Sequence, residues 1–159
     1  MTAHPFERVV AEHGPVVLRV CRAIAGPVDA DDVWSETFLA ALRAYPDLRP
    51  GSNVRAWLVT IAHRKAIDRF RAAARAPTPT DPLPERPTPA GVAEPLDASL
   101  RDAIWTLSSQ QRAAVVYHFV GDLPYREVGA LLGVSEAAAR RSAADGIARL
   151  RRIYQEEPA

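Results

Sequence analysis

Apolar residues recur at helical spacing through most of the chain. Phe6, Val9, Val10, Val16, Val17, Val20 and Ile24 fit one helix face. Gly14–Pro15 predicts a break within that helix, and Gly26–Pro27 predicts its end. The next stretch, DADDVWSETFLAALRAY, opens with three aspartates in its first turn, where the helix dipole favours negative charge. Its apolar stripe runs Trp34, Phe38, Ala41 or Leu42, and Tyr45. The prolines and the Gly-Ser-Asn of YPDLRPGSN predict a loop. A third helix then places Val54, Trp57, Leu58 and Ile61 on one face, which assigns Trp57 to the core. Beyond Ile61 the stripe dissolves: Ile67 and Phe70 point elsewhere, and basic residues take the other positions.

Further along, SLRDAIWTLSSQQRAAVVYHFVGD predicts two helices, with Ser108 or Ser109 capping the second. Leu100, Ile104 and Leu107 share one side of the first, and Val115, Val116 and Phe119 one side of the second. Two more helices follow in LPYREVGALLGVSEAAARRSAADGIARL. Pro124 suits a first turn, Gly133 the left-handed residue past a helix end, and Ser135 the next cap. The last helix is predicted to run to about Arg152. No alternating Val/Ile/Thr run suggests a strand, so the fold class is all-α.

Composition divides the chain in two. Residues 76–97 hold seven of the 14 prolines, with Arg86 alone against Asp81, Glu85, Glu94 and Asp97. Proline removes backbone donors and fixes φ, so this stretch reads as an extended acidic linker. It separates two small helical domains, residues 5–75 and 99–153, with the linker spanning 76–98. The 159 residues, 48% hydrophobic and 25% charged, suit a water-soluble globular chain. The net charge of +1 announces no polyanionic partner, but its distribution does. Arg64, Lys65, Arg69, Arg71 and Arg75 face only Asp68 in one segment, and Arg140, Arg141, Arg149, Arg151 and Arg152 face only Asp145 in another. Each patch carries about +4, and local patches set the field a phosphate feels.

The single Cys21, inside an apolar run, excludes an intrachain disulfide and reads as a small buried hydrophobe. His63 and His118 stand apart, with no partner at a ligand spacing, so no metal site is assigned. Nor does any Ser/His/Asp arrangement, carboxylate pair or phosphate loop point to catalysis, and neither a cofactor nor a small-molecule substrate is expected. The N-terminus lacks a basic start followed by an apolar core, and no run approaches the ~18 apolar residues a membrane span needs. The expectation is a cytoplasmic protein with no membrane insertion.

The last two helices have the pattern of a helix-turn-helix. Gly129 is small where the first backbone would meet the second, and Gly133, four residues on, can take positive φ. Val128, Leu131, Leu132 and Val134 supply the apolar underside. The second helix then offers Ser135, Glu136, Ala137, Ala138, Arg140 and Arg141 as candidate contacts to duplex DNA. Small residues at its front allow close approach, and arginines behind them grip phosphates or fork onto guanine. A plain helical hairpin with a solvated arginine pair has the same local pattern.

Taken together, DADDVWSETFLAALRAY, VRAWLVTIAHRKAIDRFR and LSSQQRAAVVYHFVGDLPYREVGALLGVS, in that order around a proline-rich linker, resemble the extracytoplasmic-function group of bacterial sigma factors. The resemblance covers about residues 5 to 152. It implies a first domain like sigma region two, docking on core RNA polymerase and opening the minus-ten element of promoter DNA. The second domain would be like region four, reading the duplex minus-thirty-five element. The linker would pass through the polymerase's active-site channel, where its acidity suits a basic surface.

By the same resemblance, Asp31, Asp32, Ser35 and Glu36 fall on the acidic polymerase-docking helix, although Asp31 equally suits simple dipole complementation. The loop from Asp47 to Asn53 matches the segment that captures a flipped base, with Ser52 and Asn53 as polar partners or as caps of the third helix. His63, Arg64, Lys65, Arg69 and Arg71 would hold the single strand electrostatically. An anti-sigma factor is a possible further partner, though no residue identifies it.

The chain also departs from the family pattern. Ser35 stands where Gln is usual, and Arg64 where Asn is common, which favours phosphate contact over base readout there. Ala138, Ala139 and Ala143 replace Thr, Val and Leu, and Gly146 lies inside the last helix. Less apolar burial and a helix-interior glycine predict a recognition helix seated less firmly than average. Two other readings stay open from sequence: a free-standing helix-turn-helix regulator, and a regulator-binding module without polymerase function.

Overall fold

The computed structural model describes residues 5–75 and 98–156, and among these every regular element is helical. The chain forms two compact units, residues 1–94 and 95–159. The predicted linker lies almost wholly outside the described residues.

In the first unit, α1 (Pro5–Ala44) is two helices joined at Gly26, whose φ of 86° and ψ of 167° are open essentially to glycine alone. Pro27 then starts the second arm, where its missing N–H costs nothing. The break predicted at Gly14–Pro15 does not occur. The carbonyl that Pro15 leaves without its helical partner is that of Ala11, an exposed residue, so water can serve it. Gly14 serves instead as a tie between the arms, its carbonyl accepting from Trp34 Nε1 at 2.9 Å.

A 3-10 turn (Tyr45–Asp47) leads through a loop to α2 (Val54–Arg75). Val17, Leu18, Val20, Cys21, Ala30, Val33, Thr37 and Ala41 are buried against Ala56, Leu58, Val59, Ala62 and Ala66. The buried face of α2 is therefore rotated from the predicted one: Val59 and three alanines go inward, while Val54, Trp57 and Ile61 are only half-buried. Alanine lets the helices approach closely, and this places Trp57 at the margin, 6.5 Å from the Tyr45 ring. Thr37, the buried polar residue, donates its hydroxyl to the Val33 carbonyl at 2.6 Å. Burial pushes the Cys21 thiol up to about 12, which keeps it neutral and unreactive.

The second unit comprises α3 (Ala98–Trp105), α4 (Ser109–Val115), a π-helical turn (Val116–Val120), α5 (Tyr125–Leu132) and α6 (Glu136–Glu156). Of the two candidate caps for α4, Ser108 is the one used; its hydroxyl accepts from Gln111 N while the Gln111 side chain returns to the Ser108 N–H. The wide turn, closed by Gly121 N donating to the Val116 carbonyl, inserts one residue into the helix. Register slips there, so Phe119 is exposed although the periodicity put it inside, and Tyr117 is buried. Helix α6 runs one turn past the predicted Arg152.

Candidate nucleic-acid interface

In the first unit the outer strip of α2 carries Arg64, Asp68, Arg71 and Arg75, all exposed, at spacings that keep them on one side of the helix. His63 and Lys65 flank it and are half-buried. Ahead of the helix, Asn53 Oδ1 accepts from Ala56 N at 3.1 Å, which makes Asn53 the cap of α2. Ser52 Oγ donates to the Arg49 carbonyl at 2.6 Å, folding the loop on itself beside Gly51, whose φ is 82°.

Arg69 is set apart from the other basic residues. Its guanidinium reaches Asp32 at 3.1 Å, Asp29 at 3.2 Å and Glu36 at 3.4 Å, and its side chain is 33% exposed. Residues assigned to different partners by resemblance, Arg69 and the acidic pair Asp32/Glu36, thus bind each other. Asp29 completes the set; its spacing of three and then four residues to Asp32 and Glu36 was a readable same-face signal. Asp31 is half-buried and Ser35 exposed. Beside Ser35 the same arm exposes Val28, Leu39 and Leu42, an apolar strip that the first unit does not cover. Of the alternatives Ala41 and Leu42, Ala41 is the buried one.

In the second unit the helix-turn-helix is closed by backbone contact. A Cβ on Gly129 would lie 2.7 Å from the Val134 carbonyl oxygen. Gly133 takes φ 71°, and its N–H and that of Val134 both reach the Gly129 carbonyl. Ser135 Oγ accepts from Ala138 N at 3.0 Å, capping α6. Val128 is fully buried, with Leu131, Leu132 and Val134 half-buried. Glu136, Ala137, Arg140 and Arg141 face outward, and Ala138 is partly covered.

The loosely seated recognition helix expected from its alanines is not what the packing gives. Ala139 and Ala143 are fully buried, and a Cβ on Gly146 would lie 2.7 Å from Val115 Cγ2. The small residues let α6 lie close on α4, so contact distance replaces the missing side-chain volume. Gln110 Nε2 donates to Ser142 Oγ at 2.8 Å across the same seam.

One arrangement was not visible in the sequence. His118 Nδ1 lies 2.9 Å from the Leu123 carbonyl, which requires the nitrogen to donate. The imidazole stacks on Tyr125 with centroids 3.8 Å apart and planes 12° apart, and the Arg140 guanidinium lies over the same tyrosine at 4.7 Å. Among the described residues no group of three His, Cys, Asp or Glu could hold a metal ion, and no helix is long and apolar enough to cross a membrane.

The Sigma-70 region 2 family matches residues 9–76, and the Sigma-70, region 4 family matches residues 97–150. The RNA polymerase sigma factor CarQ of Myxococcus xanthus is 31% identical over 161 residues, covering 95% of this chain and 90% of that protein. The ECF RNA polymerase sigma factor BldN of Streptomyces coelicolor is 32% identical over 145 residues, 86% of this chain, and the match spans only 55% of BldN. Among solved structures, the sigma factor RpoE of Bartonella quintana, in complex with the anti-sigma factor NepR, shares the fold with a TM-score of 0.74 at 19% identity, over 98% of this chain and 100% of that one. CnrH, in complex with the cytosolic domain of CnrY, matches with a TM-score of 0.64 at 27% identity, over 96% of this chain and 89% of that one.

Proposed function

The chain belongs to the extracytoplasmic-function group of the sigma-70 family, and on that premise we propose how its two units divide the work of a sigma factor. As a sigma factor it binds core RNA polymerase and directs transcription initiation at promoter DNA. The first unit docks on polymerase through the second arm of α1. There Asp31, Asp32, Ser35 and Glu36 lie beside the exposed Val28, Leu39 and Leu42, so carboxylates meet polymerase cations while the apolar strip is covered. The strip Arg64, Arg71 and Arg75, flanked by His63 and Lys65, holds the opened strand at the minus-ten element, and the Asp47–Asn53 loop receives a base. The second unit lays the N-terminal end of α6 against the duplex minus-thirty-five element through Glu136, Ala137, Arg140 and Arg141.

Polymerase makes the phosphodiester bonds, and this chain supplies recognition and strand separation in the cytoplasm without catalysis of its own. An anti-sigma factor is a further partner in this reading, since RpoE of Bartonella quintana forms a complex with one. The observation that carries the proposal is the pairing, in one chain, of an acidic and apolar exposed helix face with an arginine-bearing helix-turn-helix. A free-standing regulator accounts for the second feature and leaves the first unused.

The test is a pull-down with bacterial core RNA polymerase, comparing the wild type with Asp32→Arg/Glu36→Arg. Because both carboxylates also hold Arg69, Arg69→Gln is the control. Stoichiometric binding that the reversals abolish and Arg69→Gln preserves is the expected result. Equal loss in the double reversal and in Arg69→Gln would assign the effect to the internal cluster rather than to docking. No binding by the wild type would sink the proposal.

A further inference from the structure

The stack that reaches Arg140 begins in the core of the second unit. Leu123 is buried, its N–H donates to the Tyr117 carbonyl at 3.0 Å, and Tyr117 is itself buried. The Leu123 carbonyl is therefore a fixed point, and the His118 Nδ1–H bond to it sets the plane of the imidazole. Tyr125, the first residue of α5, lies parallel on that imidazole at 3.8 Å, so its ring is oriented in turn. An aromatic neighbour this close fills one face of the phenol, which leaves the other face for the Arg140 guanidinium at 4.7 Å. Glu136 Oε1 accepts from Arg140 Nη2 at 3.4 Å on the remaining side. Arg140 is nonetheless 62% exposed, so the ring and the carboxylate guide the guanidinium without burying it.

We propose that Tyr125 is a positioning residue that makes Arg140 specific, holding the guanidinium in the pose in which its fork reads a guanine edge in the duplex. This rests on the reading above that α6 faces the minus-thirty-five element. An unguided arginine samples many rotamers and is satisfied by any phosphate; one held against a ring has lost that freedom before DNA arrives, so a single donor geometry is rewarded. Bidentate pairing to the O6 and N7 acceptors of guanine needs such a planar, oriented fork. Tyr125 sits on the other helix of the motif, fifteen residues from Arg140 in sequence, and nothing in the periodicity of α6 points to it.

The experiment reconstitutes the full chain with bacterial core RNA polymerase and selects bound promoters from a library randomised in the upstream duplex. Wild type, Arg140→Lys, Tyr125→Leu and Tyr125→Phe are compared by sequencing. The wild type is expected to prefer guanine at one position, and Arg140→Lys to lose that preference by roughly tenfold, the worth of one bidentate pair. Tyr125→Leu flattens the same position, while Tyr125→Phe, which keeps the π face, stays within about twofold of the wild type. Tyr125→Met repeats the test with a longer, unbranched side chain should Tyr125→Leu lose its helical content. A preference that Tyr125→Leu leaves intact while Arg140→Lys abolishes it would overturn the proposal. So would equal loss in Tyr125→Phe, which would mean that the phenol hydroxyl touches DNA itself. If Arg140→Lys changes no position, Arg140 reads no base and the inference falls while polymerase binding still upholds the sigma reading. A wild-type holoenzyme that selects no sequence would instead overturn the proposed function.

Discussion

The two helices proposed to face nucleic acid each carry five arginines, yet two of these are held in opposite ways. On α2, Arg69 turns back onto the first unit, where three carboxylates surround it, and it is 33% exposed. On α6, Arg140 lies along an aromatic ring and remains 62% exposed. The basic patch counted along α2 therefore overstates the charge offered outward, because Asp29, Asp32 and Glu36 surround Arg69, one of its five cations. The patch on α6 stays open to solvent: the carboxylate on Arg140, Glu136 at 3.4 Å, is itself 56% exposed, and the Tyr125 π face attracts the cation without neutralising it. Charge counted along a chain is thus a poor guide to the field outside it, and partner geometry decides the difference. The seams differ too: α1 and α2 are joined by alanines and an ion cluster, whereas α5 meets the backbone of the turn leading into α6 directly at Gly129.

The strongest way to break this contrast is at the backbone contact. Gly129→Ala places a Cβ 2.7 Å from the Val134 oxygen and 3.1 Å from the Ser135 carbonyl group, none of which can rotate away. Urea unfolding of the second unit, followed by NMR, should show a loss of about 3 kcal/mol. The first unit should be unaffected, and a loss below ~1 kcal/mol would mean that the seam is not closed as described.

Arg69→Ala leaves three carboxylates facing one another and should destabilise the first unit by about 1 kcal/mol, a modest figure because every partner is partly solvated. Repeating the unfolding at about 1 M salt should shrink the loss, since screening reaches an exposed cluster. Arg140→Ala should change stability by less than ~0.5 kcal/mol at either salt concentration. Equal effects of the two substitutions would erase the comparison.

Gly146→Ala sharpens the view of the α4–α6 seam. The added methyl meets a valine methyl rather than backbone, and alanine recovers helix propensity of about 1 kcal/mol. The net change should be smaller than for Gly129→Ala, and a thermal melt that falls as far would show that Val115 cannot yield.

The smallest effect concerns pH in the first unit. Burial and the Arg55 charge hold His13 below its ordinary 6.5, with Glu12 opposing them. The unfolded chain then takes up a proton before the folded one. The His13 contribution is complete above about pH 6.5 and declines as pH falls through the folded value. Unfolding free energy measured downward from neutral pH should show this slope, and His13→Gln should flatten it.

Local features were readable in the sequence because the residues that cause them lie within a turn of one another. The capping serines Ser108 and Ser135, the left-handed Gly133 and the close contact at Gly129 all follow from short-range backbone geometry, as does the all-α character. Where one helix lies close on another, periodicity supplies a face but neither its rotation nor its depth. The Val59 face of α2, Ala139, Ala143 and Gly146 as a close-packed seam, and the outward Phe119 past the π turn each depended on that fit. Tertiary structure alone brought Arg69 to carboxylates 33 to 40 residues away, and Tyr125 between His118 and Arg140. Long flexible side chains reach partners that no spacing rule records, so the sequence determined which residues are cationic and the folded chain determined which cations remain to be used.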